Sequence, residues 1–249
     1  MSGSILTSRR SERERIVIPV TVDRDEHSNS PRVGSPQRDE SYAVVTTKWA
    51  FAMAQQRAEH WPEAEAAWQE ALSAAQRSGK KDAKAAVESR LGSLYRLTGR
   101  PDEAIACFEA AHAIWSSRGD AEGMAHSLFG LGAAHQEKGD SKAALAYHSK
   151  HLHIVQKRGD QIALVAKAWY GMGKAHSHLG QPRQAIDCYT NATDSYGKVW
   201  DFDGAGRSLQ CLSILHAACS DPGKAADCQQ RAAVALRRNR QTLRQESTT

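Results

Sequence analysis

The chain has few aromatic rings. Of its 249 residues, 4 are Phe, 6 are Trp and 6 are Tyr, an aromatic share of only 6%. A core cannot be built mainly from these, and the abundant alanine points to elements packed through small side chains. Runs rich in β-branched and aromatic residues are almost absent, which argues against a sheet and for an all-α chain. No segment approaches the roughly 20 apolar residues of a membrane-spanning helix, and no basic-then-apolar leader opens the sequence. A cytoplasmic location is therefore expected, free or attached to the cytoskeleton. An excess of one charge is missing too: 33 Lys and Arg face 28 Asp and Glu, a net charge of +5. That balance does not by itself imply a nucleic-acid partner.

What the chain does have is repetition. Leu91-Gly92-x-x-Tyr95 is answered by Leu131-Gly132-x-x-His135, by Met172-Gly173-x-x-His176 and by Leu212-Ser213-x-x-His216. A small residue recurs as Ala64, Ala104, Ala144, Ala185 and Ala225, at steps of 40, 40, 41 and 40. Four residues on stand Trp68, Phe108, His148, Tyr189 and Gln229; three further stand Ala71, Ala111, His151, Ala192 and Ala232. Within each period two amphipathic helices are legible, as in Ala121 to Asp160, where the first helix stops at Gly139 and the second opens after Asp140. Neither helix can bury its apolar face against the other alone. Stacked copies can, and a fixed period of this length is the signature of a solenoid.

Trp169-x-x-Met172-Gly173-x-x-His176, followed by Ala185-x-x-x-Tyr189-x-x-Ala192, resembles the tetratricopeptide (TPR) pattern. That pattern usually repeats at about 34 residues, so a period of 40 asks for longer helices. The longer form, with Ala144-Leu145-Ala146-Tyr147-His148, His151-Leu152 and Gly159-Asp160, is similar to the Pins/LGN class of G-protein-signalling modulators. The resemblance implies a TPR-like helical-hairpin solenoid of about five helix pairs over residues 41–236. The repeats fall at about 41–80, 81–120, 121–160, 161–201 and 202–236.

The remaining segments differ in composition. Residues 1–40 hold seven Arg against seven acidic residues and little that could form a core, so a disordered arm is expected. Ile16 to Val22 is its one apolar island, either a stray extended segment or a short motif that adds to a partner or folds back. Residues 237–249 form a basic tail. Pro62, Pro101, Pro182 and Pro222 each fall just inside a second helix, where a missing N–H costs nothing. Asp140-Ser141 caps the remaining one. Gly92, Gly132 and Gly173 sit in mid-helix at a cost of about 1 kcal/mol each relative to Ala. Close crossing by the second helix would justify them.

Candidate chemistry is sparse. His148, His151 and His153 cluster, but the first two occupy core slots of the repeat and read as satisfied structural histidines, so no metal is expected. Five cysteines include no Cys-x-x-Cys; Cys107, Cys188 and Cys228 share one slot in different repeats and cannot pair. No Ser-His-Asp or Cys-His arrangement and no phosphate-binding lysine after a glycine loop is legible. Neither an enzyme nor a cofactor is expected.

Binding remains. In the architecture that the resemblance implies, first helices line a concave groove, at positions six, three and two residues before each Leu-Gly glycine and one after it. The side chains expected there include Arg90, His126, Phe129, Lys167, Tyr170, Lys174, Arg207 and Gln210. Such a groove suits a protein or peptide partner that is acidic with apolar anchors, charge giving encounter and aromatics giving affinity. The Pins/LGN class holds its peptides partly through Asn beside the Leu-Gly pair; here those places hold Arg90, Ser93, Gly130, Ala133, Gly171 and Lys174. The expected function is a non-catalytic scaffold or adaptor. Its rivals are a structural subunit of a cytoskeletal or ciliary assembly, working through the convex face, and an RNA-binding solenoid, which needs a continuous basic stripe.

Overall fold

A computed structural model describes residues 36–159 and 161–247. Among these there are ten α-helices and no strand. They form five antiparallel pairs: α1 (Pro36–Arg57) with α2 (Trp61–Ser78), α3 (Lys81–Leu97) with α4 (Pro101–Arg118), and α5 (Ala121–Lys138) with α6 (Ser141–Arg158). Then come α7 (Ile162–His178) with α8 (Pro182–Lys198) and α9 (Phe202–Ala218) with α10 (Pro222–Ser247). Each helix packs on its sequence neighbours, and α1, α3, α5 and α7 also touch in succession. The pairs therefore stack into a solenoid.

Two boundaries differ from the compositional reading. Residues 36–40 begin α1, with Pro36 as its first residue, where a proline sacrifices no intrahelical bond. At the other end α10 runs through Ser247, so Arg237, Arg238 and Arg240 are helical residues. The Ile16–Val22 island and the rest of the arm lie outside the described residues.

Helix ends follow the sequence signals closely. Gly79, Gly119, Gly139 and Gly159 close their helices with φ between +66° and +90°. The equivalent turns at Glu59, Trp200 and Ser220 take φ of 59°, 59° and 60° without a glycine. At the starts, the Asp120 carboxylate accepts from the N–H groups of Glu122 and Gly123 at 2.9 and 3.0 Å, Asp140 from Ala143 at 3.0 Å, and Asp201 from Gly204 at 2.8 Å. The Arg118-Gly119-Asp120 closer thus has two uses. Asp120 caps the next helix, while Arg118 at the end of α4 pairs with Asp82 at the start of α3. Arg158 repeats that contact one period later with Glu122, at 3.4 Å.

The mid-helix glycines have the predicted reason. A Cβ on Gly92 would stand 2.9 Å from the Phe108 ring, on Gly132 2.6 Å from His148, and on Gly173 2.9 Å from Tyr189. The next pair closes the other side, since a Cβ on Gly171 would lie 2.6 Å from the same His148 ring. Gly130 likewise abuts Phe108. The Phe108 and His148 rings are therefore each clamped between the first helix of their own pair and that of the next.

Candidate functional site

The first-helix face holds a cavity of about 290 Å³ between α5, α7 and α9. Lys167, Tyr170 and Lys174 of α7, Phe129 of α5 and Arg207 of α9 all line it. Those are five of the eight residues expected in the groove. The other three lie elsewhere. Arg90 is half-buried with its guanidinium 5.4 Å from the Trp49 ring. His126 is exposed and does not line the cavity. Gln210 belongs to a separate groove against α10, with Ile214 and Leu236.

The cavity also contains residues outside the expected set. Arg96 and Gln136 lie one helical turn beyond the anticipated positions, four residues after Gly92 and Gly132. That turn was within reach of the same periodicity. His148, Tyr196 and Asp201 come from second helices and a turn, and their approach depends on how the pairs stack.

Rings form the walls. Tyr170 meets Tyr189 edge-on at 5.6 Å, and Phe129 leans over His148 and His151 at 6.1 and 5.5 Å. Burial raises the Tyr170 and Tyr196 hydroxyl pKa values, so both stay neutral. The charges are unequally compensated. Arg96 forms a fork with Glu137, its Nη2 2.6 Å from Oε1. The exposed Arg207 pairs with Asp203 at 2.8 Å. Asp201 is committed to capping α9. Lys167 and Lys174 make no ion pair among the described residues. Seven residues apart on one helix, they stand about 10 Å from each other along its axis, and between them Gly171 offers only backbone.

His148 and His151 are buried, each only 1% exposed. The expectation of satisfied histidines is corrected, however: none of their four ring nitrogens has a hydrogen-bond partner among the described residues. Core slots filled elsewhere by Phe108, Tyr189 and alanines offer space and rings but no acceptors. Burial, followed by the charges of His151, Lys174 and Arg96, lowers the His148 pKa to about 3. Burial, His126 and Lys167 lower that of His151 to about 4. Both rings are neutral at pH 7. No group of three or more His, Cys, Asp or Glu suited to a metal occurs among the described residues.

Two stretches match tetratricopeptide repeat families, residues 84–157 and 166–198. Similar solved structures include BtubC (BKLC) from P. vanneervenii, 23% identical with a TM-score of 0.70, over 81% of this chain and 83% of that one. Another is the Podosopora anserina putative kinesin light chain with nearly identical TPR-like repeats, 15% identical with a TM-score of 0.65, over 78% and 96%. A Rap protein complexed with competence and sporulation factor is 13% identical with a TM-score of 0.66, over 77% of this chain but 54% of that one. At these identities the likeness is one of fold. The chain carries tetratricopeptide repeats in a TPR-like solenoid. Among the described residues, no helix is long and apolar enough to cross a membrane.

Proposed function

We propose that the chain is a non-catalytic scaffold that binds a peptide segment of a partner protein along the first-helix face. The partner is acidic with apolar anchors, and the location is cytoplasmic. The observation that carries this reading is the convergence of Phe129, Lys167, Tyr170, Lys174 and Arg207 on one cavity. Aromatic walls supply contact area, and Lys167 and Lys174, which make no ion pair among the described residues, supply encounter and register. The Rap structure with its bound factor supports peptide or protein binding by such a fold. The Pins/LGN likeness belongs to the same proposal, with ligand contacts altered because Arg90, Ser93, Gly130, Ala133, Gly171 and Lys174 stand in the places of its asparagines.

A peptide array tests this. Acidic peptides with hydrophobic anchors are expected to bind, and reversing Lys167, Lys174 and Arg207 to Glu should weaken them at least about tenfold, or 1.4 kcal/mol. Unchanged binding by the triple reversal rejects the groove. A structural role in a cytoskeletal assembly is the second reading, favoured by large apolar side chains exposed outside both grooves, Leu97 and Trp200. Under that reading, substitutions at these two residues, and not in the groove, abolish co-assembly.

A further inference from the structure

The cavity has a more particular character than a general acidic-peptide groove. Its charge without an ion pair among the described residues lies on the exposed Lys167 and the half-buried Lys174, on either side of a stretch of α7 where Gly171 has no side chain. Arg207 approaches from α9 and Arg96 from α3, each holding a carboxylate partner outside the set of cavity-lining residues. His148 lines the same cavity, almost wholly buried, with both ring nitrogens unpartnered. An apolar anchor would answer neither ammonium group. A single carboxylate would answer one of them. A dianion answers both, and 290 Å³ takes a tetrahedral oxyanion with room for its first waters.

We infer that the cavity between α5, α7 and α9 is a phosphoryl-binding site, held by Lys167 and Lys174 with Arg207 at the rim, that receives a phosphorylated side chain of the bound peptide. Lysine suits this role as a point charge on a flexible stem, able to meet phosphate oxygens from two sides. The inference rests on the peptide-binding reading for its macromolecular source, and on the cavity alone for its chemistry. The site communicates with the core through charge. Lys174 and Arg96 face His148 from α7 and α3, His151 lies beside it on α6, and Lys167 and His126 face His151 from α7 and α5. Asp201, Arg207 and the neutral Tyr196 complete the titratable lining. A dianion between the lysines offsets the field that disfavours imidazolium, so occupancy raises the proton affinity of both histidines.

The test uses the full chain with three probes at matched ionic strength: inorganic phosphate, acetate, and a generic peptide carrying one phosphoserine. Readouts are the melting temperature and the NMR signals of the Gly171 amide and the His148 ring. Phosphate and the phosphoserine peptide are expected to raise the melting temperature saturably and to shift both signals, while acetate does neither. The variant Lys167→Met/Lys174→Met, which keeps the aliphatic stems, should weaken phosphate at least about tenfold. Lys142→Met, on α6 outside the cavity, should leave it unchanged. Acetate as effective as phosphate, a silent Gly171 amide, or undiminished binding by the double variant overturns the inference. Phosphate binding without phosphoserine-peptide binding overturns the peptide source and leaves a small-anion site. Array peptides that bind while phosphate does not leave the scaffold reading standing and remove this one.

Discussion

At the scale of single residues, this chain differs from its own repeat most sharply at His148 and His151. An unfolded histidine takes up a proton near pH 6.5, whereas here the folded values are about 3 and about 4. Between those limits the unfolded chain binds more protons than the native one, so stability falls as pH falls. A tenfold loss of proton affinity on folding is worth about 1.4 kcal/mol, and for two neighbouring rings the decline should total a few kcal/mol. Urea midpoints measured from neutral pH down to about pH 4 should decline steeply. In His148→Phe/His151→Ala, which restores the Phe108 and Ala111 pattern, the decline should largely vanish. An equally steep decline in the double variant would refute the burial argument. The left-handed turns give a second residue-scale expectation. Glu59 and Ser220 hold φ of 59° and 60° where sister turns use glycine, a conformation that costs an L-residue about 1–2 kcal/mol. Glu59→Gly and Ser220→Gly should each raise stability by up to about 1 kcal/mol, read as a higher urea midpoint.

At the scale of elements, helix pairing depends on crossings that admit no side chain and on helix starts capped by Asp120, Asp140 and Asp201. Gly132→Leu should cost about 1–3 kcal/mol by overpacking against His148, and Leu131→Ala about 2–5 kcal/mol through the cavity left by a fully buried side chain. Asp140→Ala removes the cap on Ala143 and should cost about 1 kcal/mol. Urea melts of the three variants that overlay wild type would contradict the pairing. These elements were legible because most of them share one grammar: proline or aspartate opening, glycine closing, a glycine at the crossing. The site was legible only where it inherits that grammar. Lys167, Tyr170 and Lys174 follow from one helix's period. His148, Tyr196 and Asp201 do not, because a residue assigned to the core or a turn reaches the cavity only through the stagger of neighbouring pairs. Arg90 was misplaced for a related reason. The atypical first pair offers the Trp49 ring, and the guanidinium settles over it.

At the scale of the whole molecule, Phe108 and His148 are each gripped by two successive pairs, so stability passes from neighbour to neighbour along the stack. Trp68 and Phe108 share one continuous apolar cluster that extends to Ala134 of α5. Tyr147 and Ile154 of α6 pack against its edge, and beyond it stand smaller separate clusters, around Leu152 and Val155 between α5, α6 and α7, and around Tyr196 between α7, α8 and α9. The wedge between these regions is His148, an imidazole where the other full repeats use larger rings. Hydrogen exchange followed on lowering the pH from 7 to about 5 should show protection lost first in α6 and the segments of α5 and α7 against it, while α2 to α4 hold. Simultaneous loss everywhere would mean one cooperative unit. If the wedge is the first contact to fail, the solenoid carries its own breakpoint. Acid would then part it into two blocks at the very crossing where the lysine-lined cavity is assembled, and ligand release and mechanical failure would be a single event.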